Sequence, residues 1–116
     1  MSFTQEIRAK IIADCYRAWL PSNTEVLDVG CGNGVVSQGI AKSLGVTVRG
    51  TDILDYRKTD LPFTWMEASN RLPFAAGAFE YVMINDVLHH MQDQVAVLNE
   101  ARRVAKCVLV FEDCDS

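Results

Sequence analysis

The chain has no run of basic residues, no Cys-x-x-Cys pair, no long apolar stretch and no leader-like N-terminus. Each absence removes a class of function. Eleven Lys and Arg against fifteen Asp and Glu leave a formal charge of −4, so no surface is expected to follow a nucleic-acid phosphate backbone by electrostatics. The four cysteines, at positions 15, 31, 107 and 114, form no metal-ligand or oxidoreductase spacing, and reduced thiols are expected. Cys31, His89, His90 and Cys114 have no spacing that would present them together as tetrahedral ligands, so no metal is expected. The longest apolar stretches, 81–84 and 108–111, fall far short of the roughly 20 residues that cross a bilayer, and no membrane span is expected. Residues 1–6 lack the charged start, apolar core and cleavage site of a secretory signal, which makes the cytoplasm the expected compartment. Internal repeats, low-complexity tracts and interdomain linkers are also missing.

What is present is average in bulk and specific in order. A length of 116 residues, 49% hydrophobic and 22% charged, fits one ordinary domain, large enough to bury roughly two-thirds of its unfolded surface without covalent staples. Residues 4–20 carry Ile7, Ile11, Ile12, Cys15, Tyr16, Trp19 and Leu20 at helical spacing, ended by Pro21. Residues 25–29 read as a strand, Gly30-Cys31-Gly32-Asn33-Gly34 as a tight loop, and Val35, Val36, Ile40 and Leu44 as a helix closed by Gly45. Residues 46–52 are β-branched and follow a crossover helix, so they should pair parallel to the first strand. Residues 54–62 show no apolar period and predict a loop. Further strands are expected at 63–66 and 79–84, turns around Gly77, a helix over 94–106 and a fifth strand over 107–111. Alternating strands and helices predict an α/β fold, a doubly wound, mostly parallel sheet in a three-layer α/β/α arrangement. Residues 1–116 form one domain, a helix over 1–21 and a core over 22–116, with any ligand at the carboxyl ends of the strands.

The glycine loop narrows the ligand. A strand that turns through glycines into a helix brings backbone amides and the positive helix terminus toward a ligand. The dinucleotide pattern Gly-x-Gly-x-x-Gly needs a glycine at 35, where Val35 stands, and the P-loop Gly-Lys-Ser/Thr is missing. Val35 thus argues against a nicotinamide oxidoreductase. Asp28, just before the loop, would repel a pyrophosphate and suits an ammonium or sulfonium group.

With these residues the chain resembles the class I S-adenosylmethionine-dependent methyltransferases, most nearly their small-molecule branch. Val26-Leu27-Asp28-Val29-Gly30-Cys31-Gly32-Asn33-Gly34 looks like the first motif of that family, and the remaining motifs follow in order from about residue 26 to 112. The resemblance implies a Rossmann-like core. It implies cofactor contacts from Asp28, Gly30, Cys31, Gly32 and Gly34, ribose contacts from Asp52 with Ile53 beside it, and adenine contacts from Glu67 and Ala68. Asn85 and Val87 would border the methionine part. Glu80 stands where the family usually has Asp. As residues alone, Glu67 is equally a surface charge and Asn85 a strand-end cap.

The implied reaction is in-line transfer of the sulfonium methyl of S-adenosylmethionine to a small-molecule acceptor, with S-adenosylhomocysteine released. A hydroxyl or ammonium acceptor would call for a base, and His89 and His90 are the candidates. The competing expectation is a catalytically silent S-adenosylmethionine-binding module or subunit of a larger methyltransferase. The family core has seven strands and five are legible here, which leaves the fifth as an apolar edge. A homodimer or partner subunit across that edge, or a shortened form of a longer protein, is expected.

Overall fold

The computed structural model describes residues 3–112. Five strands form one sheet in the order β3-β2-β1-β4-β5: β1 (Glu25–Val29), β2 (Thr47–Asp52), β3 (Phe63–Trp65), β4 (Phe79–Asn85) and β5 (Ala105–Phe111). Every neighbouring pair is parallel. Three α-helices accompany them, α1 (Phe3–Tyr16), α2 (Val35–Leu44) and α3 (Gln94–Val104). The chain winds outward from β1 to β2 and β3, then returns to the other side of β1 as β4. The switch point therefore lies between β1 and β4, where such sheets open a ligand crevice.

Residue alternation along β1 sets the two layers. Val26 packs toward α1 and α2 in a core with Ile12, Ile40, Leu44 and Met83. Leu27 and Val29 point to the opposite face, into a core with Val82, Ile84, Val97 and Val104. Asp28 shares the face of Val26 and is carried into the first layer, beneath α2, where it is buried.

α1 differs from its expected form in extent and orientation. It stops at Tyr16, and the amides of Trp19 and Leu20 donate to the Tyr16 carbonyl in a closing turn, so Pro21 does not end the helix. Its buried residues are Ala9, Ile12, Ala13 and Tyr16, while Ile7 and Ile11 are 43% and 50% exposed and Trp19 is 67% exposed. Close packing accounts for the rotation. A Cβ added at Gly39 would lie 2.6 Å from the Ala9 Cβ, so glycine on α2 and alanine on α1 let the helices touch where larger side chains would hold them apart. Gly39→Ala is expected to cost about 1–2 kcal/mol through overpacking despite alanine's better helix propensity. Thermal denaturation should show the loss, and the added change Ala9→Gly should recover most of it.

Strand and helix do not alternate throughout. The segment 53–62 between β2 and β3 forms no helix, as the sequence predicts. It is pinned by Arg57, which pairs with Asp55, donates to the Leu61 carbonyl at 2.7 Å and lies 4.9 Å above the Phe63 ring. The segment 66–78 forms no helix either. It is tied to α3, since the Leu72 amide donates to Glu100 and Arg103 donates to the Leu72 carbonyl. α3 runs into β5 with no intervening loop, two residues earlier than the spacing predicts. Among the described residues, no helix is long and apolar enough to cross a membrane.

Candidate functional site

The loop after β1 is held from both sides. The amides of Gly30 and Cys31 donate to the Thr51 carbonyl, and Asn33 accepts from Val35 through its side chain and from Lys58 through its carbonyl. Gly30 has φ +81°, and a Cβ there would meet Val87 at 2.9 Å. Gly34 has φ +85°, and its Cβ would meet the Thr59 hydroxyl at 2.5 Å. The loop thus takes a path closed to other side chains at both positions.

Asp52, at the end of β2, joins the loop directly. One carboxylate oxygen accepts from the Gly32 amide at 2.9 Å and the other from the Ile53 amide at 2.8 Å. Each oxygen keeps a further acceptor position. The Gly32 amide is consequently spent inside the protein and does not serve a ligand, a change from the simple picture of glycine amides turned outward.

Two cavities meet at Gly30. The smaller, about 190 Å³, is lined by Arg8, Asp28, Cys31, Gly32, Asn85 and Asp86 among others. Asp28 accepts from the Ser37 hydroxyl at 2.5 Å, while its Oδ1 has no hydrogen-bond partner among the described residues. Burial pushes the Asp28 carboxyl up to about 7, with the Ser37 bond opposing and the Asp52 charge assisting. Asn85 accepts from the Tyr16 hydroxyl at 2.6 Å, and its buried Nδ2 is likewise unpartnered among the described residues. Burial and the nearby Asp28 charge raise the Tyr16 phenol, which stays a neutral donor. Asp86 has φ +60° and pairs with Arg8 of α1. Burial pushes the Cys31 thiol up to about 12, assisted by Asp28 and Asp52. It packs beneath Gly50, whose added Cβ would lie 2.5 Å from the sulfur. Such a thiol is a wall of the cavity, not a nucleophile.

The larger cavity, about 510 Å³, is lined by Asp52, Ile53, Met66, Ala68, Val87 and His90 among others. It offers two carboxylates, Asp52 and Asp93, with the apolar Ile53, Met66 and Val87 between polar side chains. His90 is exposed and belongs to this lining, on the short 3-10 turn Leu88–His90. The side chain of His89 lies outside the described residues, as does Cys114. Gly34 shapes the loop without lining either cavity, and Glu67 is exposed and lines neither. Among the described residues, no group of three or more His, Cys, Asp or Glu is placed to hold a metal ion.

Arg8, Ser37 and Tyr16 were not legible as site residues. Ser37 carried a faint signal, a polar residue on the apolar side of α2. Arg8 and Asp86 are separated by 78 positions, and nothing local marks the pair.

The chain has relatives. Residues 27–107 match the family described as methyltransferase domain. The chain is 35% identical over 96 residues to the 2-methyl-6-phytyl-1,4-hydroquinone methyltransferase of Synechocystis sp., covering 75% of this chain and 30% of that protein. It is 28% identical over 93 residues to the ubiquinone biosynthesis O-methyltransferase of Vibrio parahaemolyticus, covering 71% and 39%. Among solved structures, the PH0226 protein from Pyrococcus horikoshii OT3 superposes with a TM-score of 0.74 at 24% identity, covering 90% of this chain and 54% of that one. The chain spans less than half the length of these curated relatives.

Proposed function

The chain belongs to the methyltransferase-domain family, and from that premise we propose that it binds S-adenosylmethionine across its two cavities for methyl transfer to a small-molecule acceptor. The observation that carries this reading is a pair of buried, unpartnered atoms of opposite polarity, the Asp28 Oδ1 acceptor and the Asn85 Nδ2 donor, on two residues that line the smaller cavity. Burying either without a ligand costs free energy. A zwitterion satisfies both, its ammonium toward Asp28 and its carboxylate toward Asn85. In the larger cavity the spare acceptor positions of Asp52 suit the two hydroxyls of a ribose, and Ile53, Met66 and Val87 suit the faces of a base.

When bound, S-adenosylmethionine supplies a sulfonium methyl open to in-line displacement, with S-adenosylhomocysteine as product. The work left to this chain is to hold the donor aligned and to exclude water. Arg8, Asn85 and Asp86 close one side of the smaller cavity. His90 and His89 are the proposed bases for an acceptor that must lose a proton. Hydroquinones are the first acceptors to screen, since one curated relative is a 2-methyl-6-phytyl-1,4-hydroquinone methyltransferase. Calorimetry with S-adenosylmethionine and S-adenosylhomocysteine should show binding at one site per chain. No heat with either sinks the reading, whereas binding without S-adenosylhomocysteine release from any acceptor assigns the chain as a binding module.

A further inference from the structure

We propose that Tyr16 is a positioning residue for carboxylate recognition, orienting the Asn85 amide so that its Nδ2 is left for the carboxylate of the bound methyl donor. The inference rests on the S-adenosylmethionine reading and deepens it, since it says how one half of the zwitterion is selected.

Tyr16 closes α1 and is buried in the core that also holds Ile12, Ala13 and Met83. Asn85 closes β4, 69 positions further along the chain. Alternation along β4 puts Asn85 on the face of Met83, which is the face that α1 and α2 cover. α1 lies against α2 through the close contact of Ala9 with Gly39, and from there the phenol reaches Asn85 at 2.6 Å.

A hydroxyl can donate and accept, so contact alone does not choose between the two ends of an amide. The phenol hydrogen makes the choice. Burial and the Asp28 charge keep the phenol neutral, so it has a hydrogen to place, and within the Asn85 amide only Oδ1 offers a lone pair to take it. Turned over, the amide would donate to the phenol oxygen and leave the phenol hydrogen without the acceptor it now has, a buried donor stranded at a cost. Oδ1 is therefore committed to Tyr16, and Nδ2 is the end of Asn85 that has no partner among the described residues.

The charges around the smaller cavity make that nitrogen matter. Asp28 lines the same cavity and repels a second carboxylate. Arg8, the cation of the lining, is engaged by Asp86. A carboxylate entering here meets in Asn85 a donor that gives up no existing bond to receive it.

Tyr16→Phe removes the hydroxyl and keeps the ring. Calorimetry should show S-adenosylhomocysteine binding about ten-fold more weakly to this variant, while decarboxylated S-adenosylhomocysteine, which keeps the ammonium and lacks the carboxylate, binds as before. A hydroxyl that only supports the fold would lower both alike. Asn85→Ala, which leaves the core ring in place, should lose the same preference for the carboxylate, and adding Tyr16→Phe to it should cost no further preference, because the two residues act as a unit. An equal loss for the two ligands in Tyr16→Phe, or a carboxylate preference kept in either single variant, overturns the role of Tyr16 while the methyl-donor reading stands. Failure of the unaltered chain to bind S-adenosylhomocysteine overturns that reading, and this inference with it.

Discussion

Asp52→Ala is expected to weaken S-adenosylmethionine binding by roughly 100-fold or more, read by calorimetry. The carboxylate would accept from two ribose hydroxyls, and hydrogen bonds to a charged acceptor contribute about 1.5–3 kcal/mol each. Two of them lost give at least about 3 kcal/mol, which is on the order of 150-fold. A second loss is internal. Asp52 accepts from the Gly32 amide, so alanine also strands a backbone donor in the loop after β1. Asp52→Asn separates the two effects, because its single carbonyl can serve the loop or the ribose but not both with charge, and its affinity should fall between the others. Unchanged affinity in Asp52→Ala would show that the larger cavity does not hold the ribose.

Asp28→Asn should produce an effect of similar size and opposite sign on stability. Burial pushes the Asp28 carboxyl up to about 7 in the folded chain, against an ordinary 3.8. The folded state therefore binds more protons than the unfolded state between those values. Its stability is fully present below pH 4 and declines as pH rises toward 7, by on the order of 4 kcal/mol at about 1.4 kcal/mol per unit. Asparagine removes that loss. Thermal unfolding of the ligand-free variant should exceed that of the unaltered chain at pH 8, and the two should converge near pH 4. Cofactor binding should move the other way, since a neutral amide attracts an ammonium less than a carboxylate does. In the unaltered chain, binding of S-adenosylmethionine should draw Asp28 into its ionised form and release a proton, measurable as a buffer-dependent heat. An Asn variant no more stable than the original at pH 8 would mean that Asp28 is not held protonated.

The order of strands, the glycine loop and Asp52 were legible because their signals are local. Three glycines between a short apolar run and a helix leave the chain few alternatives, and Asp52 closes the next strand at the same end of the sheet. The inward face of α1 was legible in part, since Ile12 and Tyr16 are buried as expected while Ile7 and Ile11 turn outward. Hydropathy weights Ile7 and Ile11 as heavily as Ile12, whereas the rotation of the helix is set by the close contact of Ala9 with Gly39, whose value lies in being small. The end of α3 was misplaced because Ala105 and Lys106 are good helix residues by propensity, and only pairing with β4 draws them into a strand. The charge state of Asp28 depends on how deeply α2 covers it, which no spacing reveals.

The direct passage from α3 into β5 bears on local opening. With no loop between Val104 and Ala105, the strand is fixed at its start by a helix buried along one side and along its length by β4. Segments joined in this way open together, so the amides of α3 and β5 should exchange with solvent as one unit. Loosening the junction, with Ala105→Gly, should let the two exchange separately.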